Sequence, residues 1–180
     1  TGGYSKVNTT DGTLKKRGLH YHFEVDTDGT LFQLSDLERK AYHGSGLNNY
    51  SIGISYAGGT EDNQDGSAYV RTVDDWNKED LNLNGRNTYN AKKQFLGLLD
   101  ACTLAVQKYP GIKYLTSHQW FSSSKSDVGD KFPWNIFLNK LKERGIDLQL
   151  KYDGTAPSGA SWVANRKPDT TITGDVDLSV

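Results

Sequence analysis

Four histidines are the residues of this chain best suited to bind a metal or transfer a proton: His20, His22, His43 and His118. His20 and His22 alternate along a predicted strand, so both side chains should point to the same face of a sheet. His118 follows a second predicted strand, and Asp127 lies nine residues further on, across a serine-rich loop. Imidazole and carboxylate ligands that leave one position open suit a catalytic zinc ion.

Two further side chains could act beside such a metal. Lys125 lies two residues before Asp127 and could stabilise a developing oxyanion. Tyr21 lies between the two strand histidines and projects to the opposite face of the strand. A phenol there could hydrogen-bond a water molecule or an attacked carbonyl group.

Each of these residues also has a structural interpretation. A lone histidine at a strand end is more often a hydrogen-bonded structural residue than a metal ligand. A Lys-x-Asp sequence in a serine-rich loop is usually a solvated surface segment, and His43 in "AYHGSG" could simply cap a loop. The chain has no HExxH motif and only one cysteine, so residue spacing alone does not predict zinc.

The elements that must position these residues alternate between strand and helix. "LHYHFEV" and "LFQL" flank the Asp-Gly turn "DTDGT", which is typical of a β-hairpin, and "SIGISYAGG" predicts a third strand. "KYLTSH" predicts a short strand that ends at His118, and "PWNIFLNKLKERG" predicts a helix that stops at Gly145. The pattern predicts an α/β fold in which a central β-sheet is flanked by helices.

The strongest helix signal is "TYNAKKQFLGLLDACTLAVQKYPG", which places apolar side chains on one helical face. Thr88 is the expected N-terminal cap, and Pro110 with Gly111 should end the helix. Cys102 is expected to be a buried thiol on this helix. Because it is the only cysteine, no internal disulfide is possible.

The 180 residues suit one domain, predicted over 1–150, followed by an extended tail over 151–180 whose only large apolar anchor is Trp162. The polar stretch Thr60–Asn87 is predicted to be a long surface loop. A net charge of −1 argues against nucleic acid as a partner. No apolar run approaches the roughly 20 residues that span a bilayer.

Four stretches, in this order, resemble the zinc-dependent N-acetylmuramoyl-L-alanine amidases, a family that includes phage lysozyme-type amidases and peptidoglycan recognition proteins. "YHFEVDTDGTLFQL" resembles the family's Tyr-His strand and Asp-Gly hairpin, and "KAYHGSGLNNYSIGISYAGG" its Trp-His-Ala-Gly turn and Ser-Ile-Gly-Ile strand. "TYNAKKQFLGLLDACTLAVQKYP" resembles the helix that follows. "TSHQWFSSSKSDVGDKFPW" resembles its histidine loop, which ends in Lys-x-Asp-x-Gly-x-x-Phe-x-Trp.

The resemblance implies a role for individual residues. His118 and Asp127 would be zinc ligands, with Asp127 at a position where relatives carry Asp or Cys. Lys125 would be the catalytic lysine near the tetrahedral oxyanion, and Tyr21 would face the zinc-bound water. The implied cofactor is Zn²⁺, and the implied fold is a central mixed β-sheet flanked by helices, with a zinc cleft on one face.

The resemblance also implies a role for two residues at the cleft, and it leaves one zinc ligand of the family without a counterpart in residues 1–19. His22 and His43 would shape or line the cleft. The family's first zinc histidine lies on an earlier strand and has no counterpart in residues 1–19. Either that segment is absent from the chain or the ligand has been lost; a missing segment is favoured because the chain lacks a start methionine. Replacement by His20 is disfavoured, because neighbours such as His20 and Tyr21 face opposite sides of a strand.

Three hypotheses about function follow. The leading one is a phage or bacterial cell-wall enzyme, secreted, periplasmic or virion-borne, that cleaves the amide between N-acetylmuramic acid and L-alanine of peptidoglycan. The second is a catalytically inactive module that binds peptidoglycan. The third is a structural component of a larger assembly, such as a phage particle, in which the tail contacts neighbouring chains.

Overall fold

The computed structural model describes residues 20–44, 46–58, 71–82, 88–125, 127–129, 131–154 and 162–179. This part of the chain forms a mixed α/β fold, which confirms the predicted fold class. About half of the predicted loop Thr60–Asn87 lies outside the described residues, as do residues 155–161 and 180 of the predicted tail.

A small mixed sheet contains the predicted hairpin and the third predicted strand. Strand β1 (Phe23–Val25) pairs antiparallel with β2 (Leu31–Gln33) and parallel with β3 (Ile54–Tyr56), in the order β2-β1-β3. The hairpin turn contains Gly29 at a φ of +87°, a conformation that glycine adopts without strain. A Cβ atom at Gly29 would also lie 2.3 Å from Cβ of Lys93, so the turn packs directly on the following long helix.

The remaining elements are four helices and a second pair of strands. They are α1 (Val73–Trp76), α2 (Ala91–Lys108), β4 (Tyr114–Leu115), α3 (His118–Phe121), α4 (Trp134–Glu143) and β5 (Gln149–Leu150). Strands β4 and β5 pair in parallel as a separate two-stranded sheet. Helix α2 begins two residues later than predicted: its N-cap is Asn90, not Thr88, and the Asn90 side chain accepts a hydrogen bond from Lys93 N.

Helix α2 packs across the sheet and supplies much of the core. Gly97 permits this approach, because a Cβ atom at that position would lie 2.7 Å from Cγ1 of Val25. Phe95 and Leu99 are almost fully buried on the same face. Cys102 is a buried free thiol on this helix, as predicted, and burial raises its pKa to about 12. No helix in the described ranges is long and apolar enough to cross a membrane.

The interpretation of Thr60–Asn87 as a surface loop is wrong for residues 71–82. Thr72 caps α1 through a reciprocal capping box with Asp75, which stabilises a helix of a single turn. The turn delivers Trp76 into the core, where the ring is 0% exposed and packs edge-on against Phe95 and Phe132. The polar composition of this segment gave no indication that Trp76 is buried.

A buried polar contact joins this region to the sheet. The Gln94 side chain donates to the carbonyls of Asp26 and Ala57, at 3.0 and 2.6 Å, and so ties the ends of β1 and β3 together. Its Oε1 accepts from Nη1 of Arg71 at 2.8 Å. The Arg71 guanidinium is itself buried and lies 4.6 Å from the ring centroid of Trp76, a cation–π contact.

The described part of the tail, residues 162–179, packs on its own chain. Trp162 is not its only apolar anchor, because Val176 is fully buried in the core. Asn77 fixes the tail further by donating to the carbonyl of Asp175 and accepting from Asp177 N, both at 2.7 Å. The prediction overlooked Val176 because a single valine in a polar stretch carries no periodic signal.

Candidate active site

The two predicted zinc ligands meet at one point in the structure. His118 is the first residue of α3, three residues beyond the end of β4 rather than at a strand end as predicted. Its Nδ1 lies 2.9 Å from Oδ2 of Asp127, and both side chains remain partly exposed to solvent. The segment that carries them, residues 116–129 without the undescribed residue 126, is called the site loop below.

The other imidazole nitrogen of His118 fixes the ring orientation. Nε2 contacts the main-chain carbonyl of His43, and because a carbonyl only accepts, Nε2 must carry a hydrogen and donate. Nδ1 is therefore the nitrogen free to offer a lone pair when the ring is neutral. Donation of the second ring N–H to a carbonyl is the usual arrangement for a metal-binding histidine.

The pKa values of the pair are set by burial and by mutual attraction. Burial lowers the pKa of His118, but the hydrogen bond and charge of Asp127 outweigh it, so the pKa is raised above its ordinary value of 6.5. Burial raises the pKa of Asp127, but His118 outweighs it, and the Lys125 charge lowers it further. In the absence of a metal, each residue thus favours the charged form of the other.

Main-chain contacts hold Asp127 in place within the site loop. Its carbonyl accepts from Ser117 Oγ at 3.1 Å and from Gln119 N at 3.0 Å. Ser117 Oγ also accepts from Val128 N at 3.2 Å, and Oε1 of Gln119 accepts from Gly129 N at 2.8 Å. The start of α3 therefore holds both predicted ligands: His118 is its first residue, and Asp127 is bound through Ser117 and Gln119.

His43 is positioned by the glycine- and asparagine-rich segment that follows it. The main-chain N–H groups of His43 and Gly44 donate to Oδ1 of Asn48, at 2.9 and 2.8 Å. Nε2 of His43 lies 3.4 Å from Ser51 Oγ. Gly53 leaves room for the imidazole, because a Cβ atom there would lie 2.6 Å from the ring. Burial and the neighbouring imidazoles lower the pKa of His43 to about 4, so it is neutral near pH 7.

His22 lies behind His43 and does not line the cavity described next. Its Nδ1 accepts from Gly53 N at 3.0 Å and its Nε2 donates to the Arg39 carbonyl at 2.7 Å. The His22 ring is 1% exposed and sits 5.9 Å from the His43 ring. Burial lowers the pKa of His22. His22 therefore supports the position of His43.

A cavity of about 910 Å³ connects the remaining predicted residues. The cavity is lined by side chains of β3, β4 and α2, and by Tyr21, His43, His118, Lys125 and Asp127. Within the described residues, β3 and β4 each pair with one strand only, so each presents an open edge. The candidate site thus opens into the space between the two sheets.

The donors present fit part of a zinc site. Nδ1 of His118 and Oδ2 of Asp127 converge, and ligands of tetrahedral zinc at about 2.1 Å lie roughly 3.4 Å apart. Moving the two atoms apart by about 0.5 Å and removing the Nδ1 proton would make them a ligand pair. No cluster of three or more such donors occurs in the described ranges. A complete catalytic site uses three protein ligands.

The comparisons with known proteins identify the class. A family model described as N-acetylmuramoyl-L-alanine amidase matches residues 1–130. No curated protein and no solved structure matches the chain significantly. Because the match covers most of the chain, the chain belongs to the N-acetylmuramoyl-L-alanine amidase family, whose members act on peptidoglycan.

The sequence analysis missed several residues that build the site. Asn48 and Gly53 were quoted within a family-like stretch but given no role, although they fix and accommodate His43. Phe121 packs against Gly44 and His118. A partly buried aromatic ring packed on a histidine has no local sequence signature, so only the structure reveals this contact.

Proposed function

We propose that this chain is a zinc-dependent amidase that hydrolyses the bond between the lactyl group of N-acetylmuramic acid and L-alanine of the stem peptide. The proposal is carried by the convergence of His118 Nδ1 and Asp127 Oδ2 at a cavity that Lys125 and Tyr21 also line. Family membership supports the substrate. The enzyme would act at the bacterial cell wall, as a secreted, periplasmic or virion-borne lytic protein of bacterial or phage origin.

Each residue at the cavity has a distinct part in the proposed mechanism. His118 and Asp127 would hold Zn²⁺, with the carbonyl of His43 keeping the His118 ring in the orientation that presents Nδ1. Zinc, when bound, supplies Lewis acidity and lowers the pKa of a water molecule to about 7. Lys125 and Tyr21 would donate hydrogen bonds to the oxyanion that forms when the amide carbonyl is attacked.

Neutral His43 would complete the polar wall of the cleft. Because its pKa is about 4, its imidazole adds no positive charge beside the metal ligands at neutral pH. With the His43 ring neutral, the positive charge near His118 would come from the metal and from Lys125. The reaction releases a free lactyl carboxylate and the amino terminus of L-alanine.

The third protein ligand is proposed to lie on a strand placed between β3 and β4. Both strands present an open edge to the cavity in the described part of the chain, and His118 borders the same space. A strand there would join the two sheets and could direct an imidazole at the ligand pair. The number of zinc ions bound per chain, measured by plasma mass spectrometry, tests this: full occupancy in a chain of these 180 residues would reject the added strand.

The activity is tested by digesting purified peptidoglycan with zinc-loaded protein and identifying the soluble products by mass spectrometry. The expected products are stem peptides with a free L-alanine amino terminus and glycan strands that keep their length. Shortened glycan strands would indicate a different hydrolase, and zinc-loaded protein that releases no stem peptide would reject the proposal.

Two lysine variants give a matched control. Lys125→Met should lower kcat by about 100- to 1,000-fold, the usual cost of losing one oxyanion donor. Lys113→Met removes an exposed lysine just before β4 and should leave kcat unchanged. Equal kcat values for the two variants would remove Lys125 from the mechanism.

One observation favours a second candidate function, a peptidoglycan-binding module without catalysis. The described residues supply two metal donors, and these are hydrogen-bonded directly to each other. Calorimetric titration of the metal-free protein with a muramyl peptide distinguishes the two functions. Tight binding without cleavage, in the presence of added zinc, would establish the binding module.

A further inference from the structure

One residue of the C-terminal tail contacts the site loop at four places. The guanidinium of Arg166 donates to the main-chain carbonyls of Gln119, Ser122 and Lys125 through Nη1, at 2.7, 3.2 and 2.8 Å. Its Nη2 donates to the carbonyl of Ser123 at 3.3 Å. Arg166 lies beyond residues 1–130, the part of the chain that matches the amidase family.

Four main-chain carbonyls in the first half of the site loop surround a single cation, the guanidinium of Arg166. Nη1 carries two hydrogens, so its three carbonyl contacts require one shared hydrogen. Two of the carbonyls, those of Gln119 and Ser122, lie at the C-terminal end of α3, where carbonyl groups attract a cation. The loop carbonyls therefore point inward, toward Arg166.

A second set of contacts places the arginine. Val163 N donates to the carbonyl of Trp120 at 2.7 Å, and the Trp162 ring packs edge-on against Phe121 with centroids 6.3 Å apart. Phe121 in turn contacts the His118 ring, with centroids 5.3 Å apart. Residues 162–166, called the tail clamp here, thus meet α3 through an aromatic ring, a main-chain hydrogen bond and a guanidinium.

We propose that Arg166 is a positioning residue that fixes the main chain of Lys125 relative to His118 and Asp127. This inference rests on the amidase function proposed above, because it assigns Arg166 an effect on the geometry of that site. The carbonyl of Lys125 is bound to Arg166 and its N–H to the Ser122 carbonyl at 3.2 Å, so both sides of the residue are tied. The far half of the loop is fixed separately, through the contacts of Asp127 with Ser117 and Gln119.

Arginine is the residue type that this role requires. A planar guanidinium with five donors can reach four carbonyls at once, whereas the three donors of a lysine ammonium radiate from one atom. Lysine at position 166 should therefore recover part of the contact, and alanine none. This difference separates positioning by hydrogen bonds from simple packing of the side chain.

The experiment compares Arg166→Ala and Arg166→Lys with two controls in the full chain. Lys167→Ala removes the neighbouring exposed cation, and Arg144→Ala removes an arginine whose hydrogen bonds go to Asp100 and Thr103 on the other side of α2. Two readouts are measured: amide hydrogen exchange of peptides from the site loop and from α2, and steady-state kinetics of peptidoglycan cleavage.

Arg166→Ala should speed exchange at least about tenfold in residues 119–129 while α2 keeps its protection. It should lower kcat by about 10- to 100-fold with little change in KM, since a displacement of about 1 Å has effects of this size. Arg166→Lys should fall between alanine and wild type on both measures, and both controls should match wild type. Exchange and kcat that stay unchanged in Arg166→Ala would overturn the proposal.

Failure of the positioning role and failure of the amidase function give different results. If wild-type protein loaded with zinc releases no stem peptide, the proposed function is rejected and exchange in the site loop alone decides the role of Arg166. Faster exchange throughout Arg166→Ala, α2 included, would show a general stabilising contact and also overturn the proposal. The Arg166→Lys variant then shows whether any local effect remains in a folded chain.

Discussion

The helix–sheet framework and the site loop are held together by different forces. The framework, formed by β1–β3, α1 and α2, is fixed by burial: Trp76, Phe95 and Val25 are all completely enclosed. The site loop is anchored in the core by one side chain, Trp120, and the rest of it is fixed by hydrogen bonds to its main chain. Its two key side chains, His118 and Asp127, remain 14% and 35% exposed. Burial of apolar side chains stabilises the fold, whereas polar contacts orient His118 and Asp127, the residues proposed to hold the metal.

The difference predicts that stability and activity can be changed separately. Removing a framework side chain creates a cavity and destabilises the whole fold. Removing the Asp127 side chain from the site loop leaves the core intact, because a partly exposed ion pair contributes little to stability. The predictions below test this separation, beginning with the largest effect.

Asp127→Ala should abolish catalysis while leaving the fold nearly as stable as wild type. Loss of one of two converging metal donors should reduce zinc binding below about 0.1 per chain and lower kcat/KM by more than about 1,000-fold. Zinc content by plasma mass spectrometry, stem-peptide release and a urea titration are the measurements. The free energy of unfolding should change by less than about 1 kcal/mol, since the pair is partly exposed.

A neighbouring carboxylate outside the site provides the control. Asp147→Ala removes an exposed aspartate just before β5, and it should alter neither zinc content nor activity. An Asp127→Ala protein that binds zinc and cleaves peptidoglycan as wild type does would remove Asp127 from the site. A large loss of stability would instead show that the site loop supports the framework.

Trp76→Ala should produce the reverse result. The indole is 0% exposed and packs against Tyr56, Phe95 and Phe132, so truncation should cost about 3–5 kcal/mol of unfolding free energy. Trp76→Phe should cost less, because a ring still fills most of the space. Chemical denaturation gives the stability, and activity per folded molecule should stay within about twofold of wild type. A tenfold drop in that specific activity would show that the two regions are coupled.

The framework and the site loop also differ in how well they could be predicted from the sequence. Periodicity located α2, and the Asp-Gly turn located the β1–β2 hairpin, because both signals depend on which face is buried. Position 76 escaped notice, since one tryptophan within a polar segment shows no period. Residues that act through side-chain hydrogen bonds, such as Thr72 in its capping box and Asn77 in its contacts with the tail, produce no periodic pattern in the sequence.

The site was predictable only through resemblance to a family, and only in its residue types. That resemblance named His118, Lys125 and Asp127, and the structure brings all three to one cavity. It could not name Arg166, which lies in a tail of polar composition outside the matched residues. Contacts between distant segments depend on the tertiary path of the chain, so local composition does not encode them.

The pH dependence of stability should separate two histidines of the site. Burial and then the neighbouring imidazoles of His22, His118 and His20 lower the pKa of His43 to about 4, so its folded state binds fewer protons than its unfolded state. The contribution of neutral His43 to the stability of the metal-free protein is therefore full above pH 6.5 and should be lost as pH falls toward 4, by up to about 1.4 kcal/mol per pH unit. Denaturation from pH 4 to 8 measures this slope.

Variants assign the slope to its source. His43→Gln should flatten the fall between pH 4 and 6.5, leaving the part due to buried His22, whose pKa is also lowered. The pKa of His118 is raised, so its contribution is present below pH 6.5 and is lost as pH rises through its folded pKa. His118→Gln should therefore act above pH 6.5. An unchanged slope in His43→Gln would mean that His43 is not buried as a neutral ring.

Asn90→Ala should have the smallest effect of these variants, because it removes a single helix cap from the framework. The Asn90 side chain caps α2 by accepting from Lys93 N at 3.0 Å, and loss of a cap costs about 1 kcal/mol. Asn90→Asp should keep the cap and the stability, since Asp and Asn cap helices equally well. Urea denaturation measures both variants, with stem-peptide release and zinc content expected at wild-type levels. If this small change at the start of α2 lowered activity as much as it lowered stability, the site would depend on the exact placement of α2, and the separation of framework from site loop would fail.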